Sequence, residues 1–324
     1  MKEGKLPENI LLRSVIKPLR KVRTGRMMNS VGLGEDCAVF ASSDGQNLVS
    51  GMNSGVLHCE ESAGVVFHSA INTVAAKGAK PVGVLLSLTM PTICTEADLK
   101  RIMNQLIAEA GAMEIDIAGG HTESVKGLSA PLLTVTAFGE IPRDVEIRKA
   151  QPGDDLVITG NIALAGTYLL AATRREELLK RYPASFIDEA ILLEKELSVV
   201  PEAAVATLSG ACAMHDASHG GIFTAMWEMA QGAGIGLEVV LRKLPIRQET
   251  VEICDYLDIN PYELQSQGCL LVATPDGHHL AMQMQEKGLE AQVVGRFTKG
   301  PDRVILNGEE RRFLEPFRGD NVIL

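Results

Sequence analysis

The sequence predicts an α+β protein of two domains, and three observations predict it. At about 150 residues per domain, a chain of 324 residues divides into two, each large enough for its own core. Short β-type runs alternate with helical ones, without the regular βαβ order of a doubly wound sheet in the first half. A polar Pro-Gly turn, Arg148-Lys149-Ala150-Gln151-Pro152-Gly153-Asp154, breaks the composition near the middle. The expected division is a basic arm over 1–29, a first domain over 30–148 and a second over 149–324.

Residues 4–22 read as an amphipathic helix that starts after Pro7 and turns its basic side chains outward. Ala38–Ala41, Asn47–Gly51, Pro81–Thr89, Ile115–Ala118 and Leu132–Gly139 read as strands, being short, β-branched and bounded by Gly or Pro. Ser62–Lys77 and Thr95–Ala112 read as helices. The second opens on Thr95 with Asp98 three residues later, which has the form of a capping box. Beyond the turn, strands are expected over Asp155–Thr159, 236–241, Gly268–Ala273, Ala291–Phe297 and Arg303–Leu306. Helices are expected over 162–180, 187–197, 201–210, 222–231, 247–257 and 277–288. No repeat of 20–50 residues and no low-complexity segment is present.

The net charge of −10 disfavours nucleic acid as the main partner, because an acidic surface repels phosphate backbones. Residues 1–27 run against it, with eight Lys or Arg and two acids, so the remainder carries −16. Such an arm could cover an anionic ligand or dock on its own body. The apolar stretch at residues 10–16 is interrupted by Arg13, and no apolar run approaches the ~20 residues of a membrane span. Six single cysteines without a C-x-x-C pair read as reduced thiols, so a cytoplasmic protein without membrane attachment is expected.

Residues suited to chemistry gather in glycine-polar segments beside the expected strands. In Gly32-Leu33-Gly34-Glu35-Asp36-Cys37, the third glycine of a dinucleotide fingerprint is missing. The acid pair Glu35 and Asp36 either forms a solvated turn or holds a hard cation that bridges phosphates. Gly51-Met52-Asn53-Ser54-Gly55 reads as a loop at a strand end. His68 and Asn72, four apart, share one helix face and either orient a ligand or form a surface stripe. Ala118-Gly119-Gly120-His121-Thr122-Glu123 reads as a loop with backbone amides open to an anion. Gly160 through Gly166-Thr167 runs from a strand into a helix start that could aim amides at a phosphate. Met214–Gly221 is the densest ionisable loop, with His215, Asp216 and His219 ahead of Gly220 and Gly221. His58, Cys59 and His68 match no zinc spacing.

In order and spacing these segments resemble the superfamily of aminoimidazole ribonucleotide (AIR) synthase, which includes the HypE, selenophosphate synthetase and thiamine-phosphate kinase proteins. Gly4-Lys5-Leu6-Pro7 is similar to the HypE start, and Gly34-Glu35-Asp36-Cys37-Ala38-Val39 to G-[DE]-D-A-A-V. His68 to Asn72, continuing to Gly78-Ala79-Lys80-Pro81, resembles H-x-x-x-N-D…G-A-x-P. Gly119-Gly120-His121-Thr122 resembles G-G-D-T, and His215 to Gly221 resembles H-D-x-T-R-G-G.

The resemblance implies a PurM-like first domain whose sheet pairs across a homodimer, an α/β second domain, and ATP with Mg²⁺ between them. It implies an enzyme that uses ATP to phosphorylate an amide- or phosphate-type small substrate. Asp36, His215 and Asp216 would be catalytic, and Glu35 and Asp36 would hold the metal. Lys5, Gly34, Asn53, Ser54, His68, Asn72, Gly119, Gly120, His121, Thr122, Gly160, Gly166, Thr167, Gly220 and Gly221 would bind the nucleotide. Departures from the pattern run toward neutrality: Asn53, Thr73 and His121 stand where carboxylates are usual, His219 where Arg is, and Gln267 where Glu is. A paralogue that binds nucleotide without turnover is therefore the alternative. The sequence closes on Gly319-Asp320-Asn321-Val322-Ile323-Leu324, without the terminal Cys of HypE, so no carbamoyl group is expected to be carried on it.

Overall fold

Side chains that alternate between buried and exposed set the first sheet. In a computed structural model describing residues 6, 8–22, 25, 27–29, 31–42, 45–145 and 147–316, it runs in the order β1-β2-β5-β3-β4. These strands are β1 Cys37–Ala41, β2 Gln46–Val56, β3 Lys80–Pro91, β4 Asp116–Val125 and β5 Leu132–Pro142. β3 and β4 pair in parallel and the other neighbours antiparallel. Val49, Val84, Leu133, Val135 and Ala137 point to one face and are fully buried. That face carries α3 Ser62–Ala76, whose every residue is buried. Glycines let helix and sheet approach: a Cβ on Gly55 would lie 2.5 Å from Val66 Cγ2. α4 Glu96–Ala112 lies outside α3 and buries Ile102, Leu106 and Ala110 at four-residue spacing.

The chain enters through one continuous helical arm, made of α1 Glu8–Leu11, a π-turn Leu12–Ile16, α2 Lys17–Leu19 and a 3₁₀ turn Arg20–Val22. Arg13, Lys17, Arg20 and Lys21 are exposed and Ile16 is buried, as an outward basic side requires. The arm docks on the body, with Gln231 donating to Glu8 at 3.1 Å and Arg20 to the Val31 carbonyl at 2.9 Å.

The second sheet takes the order β12-β11-β8-β10-β6-β9-β7. Its strands are β6 Asp155–Thr159, β7 Ala213–Ala217, β8 Gly236–Val240, β9 Cys269–Thr274, β10 Ala291–Thr298, β11 Arg303–Asn307 and β12 Glu310–Phe313. Helices are α5 Leu164–Thr173, α6 Arg175–Leu178, α7 Ala184–Ile191, α8 Val200–Leu208, α9 Gly221–Ala233, α10 Gln248–Tyr256 and α11 Gly277–Glu286. β6 and β9 are covered on both faces, which is why their central residues, Leu156–Ile158 and Leu270–Ala273, are apolar throughout. Leu156, Ile158 and Leu271 pack with Ile222, Met226 and Ala230 of α9, whereas Val157 and Val272 pack with α8 and α11.

Three segments expected as loops are strand. Gly51-Met52-Asn53-Ser54-Gly55 lies inside β2, where its glycines serve helix packing and not a turn. Gly119–Glu123 continues β4, and Met214–Ala217 belongs to β7. β12 had no counterpart among the expected strands. No described helix is long and apolar enough to cross a membrane.

Candidate functional site

The acidic loop before β1 is held from three sides. Gly34 takes φ +70° and lies against α9, where a Cβ would stand 3.4 Å from the Glu228 carbonyl. Asn29 donates to the Cys37 carbonyl at 2.6 Å and accepts from Val39 N at 3.1 Å, which pins the chain ahead of β1. Asn29 also donates to Glu35 at 3.1 Å, and Lys77 Nζ meets the same carboxylate at 3.1 Å. Glu35 is thus neutralised by its neighbours, while the Asp36 side chain keeps 57% of its surface exposed.

β7 is an edge strand that ends beside this loop, and it carries His215 and Asp216 to it. Thr73 of α3 donates to Ser69 O at 2.9 Å and stands 3.5 Å from Asp216 Oδ2. His215 lies between two carboxylates, with Nδ1 4.0 Å from Asp36 and Nε2 3.5 Å from Glu228 of α9. Burial disfavours a charged imidazole, but the hydrogen bond to Glu228 and the charges of Asp36 and Asp216 outweigh it and hold the His215 pKa above its ordinary value. Burial pushes the Cys37 thiol upward, and Asp36 and Asp216 push it further.

Beside this group opens a cleft of about 680 Å³, roofed by the arm through Leu12 and Arg20. Arg20, Lys77, Arg148 and Lys149 line it against the single acid Glu35, and a narrow recess connects Arg148 to Asp36, Thr73, His215 and Asp216. Its size and polarity suit a small anionic ligand. Sequence reasoning missed Arg20, Lys77, Arg148, Lys149 and Glu228 as site residues. Arg148 and Lys149 lay in the turn read as a boundary, and nothing local marks Lys77 or Glu228. Among the described residues, no three His, Cys, Asp or Glu side chains gather as a metal group.

The structure unites Gly34, Glu35, Asp36, His215 and Asp216 in the recess, whereas Gly220 and Gly221, at φ +84° and +69°, stand at the start of α9 and do not line it. Other expected residues lie elsewhere. His68 is buried against Glu109 at 3.0 Å, so it is no surface stripe. Asn72 donates to the Leu197 carbonyl at 2.8 Å and accepts from Val199 N at 3.0 Å. Asn53 is half-buried in β2, and Ser54 bonds Thr134 across to β5 at 2.7 Å. Gly119, Gly120, His121 and Thr122 lie on β4, the exposed far edge of the sheet.

Gly160 and Gly166 are packing glycines, closed upon by Gly268 and Leu264, and Thr167 bonds Ala163 and Thr250. Two of the amides expected to face a phosphate at the start of α5 are taken, Ala163 N by Ser266 and Gly166 N by Gln265. Gln267 donates to Ser69 at 2.9 Å, and Gln265 is 3.2 Å from His219 Nδ1. Lys5, with the rest of Gly4-Lys5-Leu6-Pro7 except Leu6, and the closing residues 317–324 lie outside the described residues.

Compared with known families, residues 34–141 match the AIR synthase related protein N-terminal domain and residues 151–307 its C-terminal domain. The chain belongs to the AIR synthase related family. Carbamoyl dehydratase HypE of Azotobacter vinelandii is 26% identical to it over 270 residues, 79% of this chain and 73% of that protein. The solved structure of HypE in complex with ATP superimposes at a TM-score of 0.72 and 17% identity, covering 99% of this chain and 97% of that one. AaThiL complexed with AMPPCP and TMP gives 0.74 and 18%, covering 98% and 99%. The AIR synthase related fold therefore extends over both halves, and the sequence relatives set the chain beside the HypE branch of the family.

Proposed function

We propose that this AIR synthase related protein is an ATP-dependent enzyme that phosphorylates an amide- or phosphate-type small substrate. The observation that carries this reading is the junction of the Arg148–Lys149 side of the cleft with Asp36, His215 and Asp216. Cations there would bind a triphosphate, and phosphoryl transfer depends mainly on such positioning of charge. HypE and ThiL relatives solved with ATP and AMPPCP support the choice of ligand. Asp36, the more exposed of the two loop acids, would serve a Mg²⁺ ion, and one carboxylate with phosphate oxygens suits a metal that arrives with its nucleotide. Bound there, the metal would neutralise phosphate charge.

The enzyme would act as a homodimer joined through the bare face of the first sheet. Phe40, Leu48, Met52, Val56, Val82 and Leu85 are all exposed large hydrophobics of β1, β2 and β3. One observation favours a second reading, nucleotide binding without turnover: Thr73 presents a hydroxyl to Asp216 where a second carboxylate would complete a metal pair.

Thermal-shift titration of ATP, ADP and AMPPCP, with and without Mg²⁺, tests binding, since a ligand of the native state raises stability by RT ln(1 + [L]/Kd). Phosphate release from ATP then separates the two readings. The proposal fails if no nucleotide stabilises the protein.

A further inference from the structure

One turn of α9 touches both halves of the acidic group. The Glu228 carboxylate lies 3.5 Å from His215 Nε2, while the Glu228 carbonyl is the atom against which Gly34 packs. One turn on, Gly232 lies so close to Leu33 that a Cβ would stand 2.8 Å from its carbonyl. The loop that ends in Asp36 and the ring that faces it therefore rest on a single helical turn. His215 has little freedom of its own, with 10% of its side chain exposed on a strand whose residues are all buried.

We infer that Glu228 is a positioning residue, which accepts the Nε2 proton of His215 and so fixes the ring with Nδ1 turned toward Asp36. A carboxylate behind an imidazole selects its tautomer and orientation, as it does behind metal-bound histidines. With the Nε2–H held toward Glu228, Nδ1 is the ring atom that faces the Asp36 carboxylate, 4.0 Å away. The assignment rests on the nucleotide-dependent reading for its catalytic meaning, but the ring geometry stands apart from it.

The test uses the full chain labelled with ¹⁵N-histidine, with His215→Gln to identify the His215 ring signals. Glu228→Gln is expected to move those signals away from the Nε2–H pattern. It is also expected to lower kcat for ATP turnover by about tenfold or more, the usual loss on removing such a partner, with the KM for ATP within about threefold. Glu228→Asp, too short to reach, is expected to do the same and is read if Glu228→Gln does not fold. Unmoved ring signals in a folded variant overturn the inference, whether or not the wild type hydrolyses ATP. Moved signals in a protein without turnover uphold the positioning and reject the enzymatic reading alone.

Discussion

Lys77 closes on Glu35 at 3.1 Å, both side chains being 18% exposed, whereas the adjacent Asp36 keeps 57% of its side chain exposed. An ion pair this enclosed costs more to break than a solvated one, because either partner left alone is a poorly hydrated charge.

Asp36→Asn is therefore expected to weaken Mg²⁺-dependent nucleotide binding by about tenfold to a hundredfold, the worth of one charge-assisted contact. The melting temperature should hardly change, since a side chain 57% exposed contributes little to the core. Calorimetric titration of the variant decides it, and unchanged affinity would mean that the loop is only a turn.

Thr73→Asp would place a carboxylate beside Asp216, in a site now 8% exposed. Without metal this should cost about 1–3 kcal/mol through desolvation and like charge. Mg²⁺ with ATP should return that loss. Urea melts with and without the ligand read the effect. Equal destabilisation in both conditions would count against a metal at this position.

Met52, 63% exposed on the outer face of the first sheet, is where an added charge should act on assembly. Met52→Asp or Leu85→Asp should convert a dimer to monomers while leaving secondary structure intact, as light scattering and circular dichroism would record. A wild-type monomer at micromolar concentration would remove the premise.

Gly120 holds φ +151°, and a Cβ there would fall 1.7 Å from the Leu86 carbonyl of β3. Gly120→Ala should destabilise the first domain by about 1–3 kcal/mol and free the β4 edge. Hydrogen exchange at β3 and β4 measures that opening, and unaltered protection would contradict the packing.

His215 makes stability depend on pH. Burial works against its charge, but the Glu228 hydrogen bond and the charges of Asp36 and Asp216 prevail, so the folded protein holds this proton more tightly than the unfolded chain. The contribution is complete below the unfolded value of about 6.5 and declines as pH rises through the higher folded value. Wild type should lose its advantage over His215→Gln as the pH rises above about 6.5. A difference independent of pH would show that folding leaves the pKa of this ring unshifted.

Features fixed by neighbours along the chain were legible in the sequence. The Thr95–Asp98 box is formed in both directions, and the α4 stripe follows from its four-residue spacing. Hidden features were those that depend on a distant partner. Gly51 and Gly55 look like turn residues until α3 is seen lying on them. Gly166 looks like phosphate-loop chemistry, but its amide and its missing Cβ are both answered by residues 264–265. Motif order brought Asp36 and His215 into view, whereas Lys77 and Glu228 carry no local mark because only tertiary contact gives them a partner.

Asn72 sets the mechanics of the molecule. One amide, buried in α3, grips the backbone at Leu197 and Val199 with its donor and its acceptor at once, more than a hundred positions along the chain. Swinging the two halves apart would strip two buried hydrogen bonds together, so one side chain couples the halves on both its donor and its acceptor. The arm over residues 8–22, fastened through Glu8 and Arg20, closes one side of the cleft with Leu12 and Arg20, so the pocket is walled by the chain's first helical segment as well as by both domains.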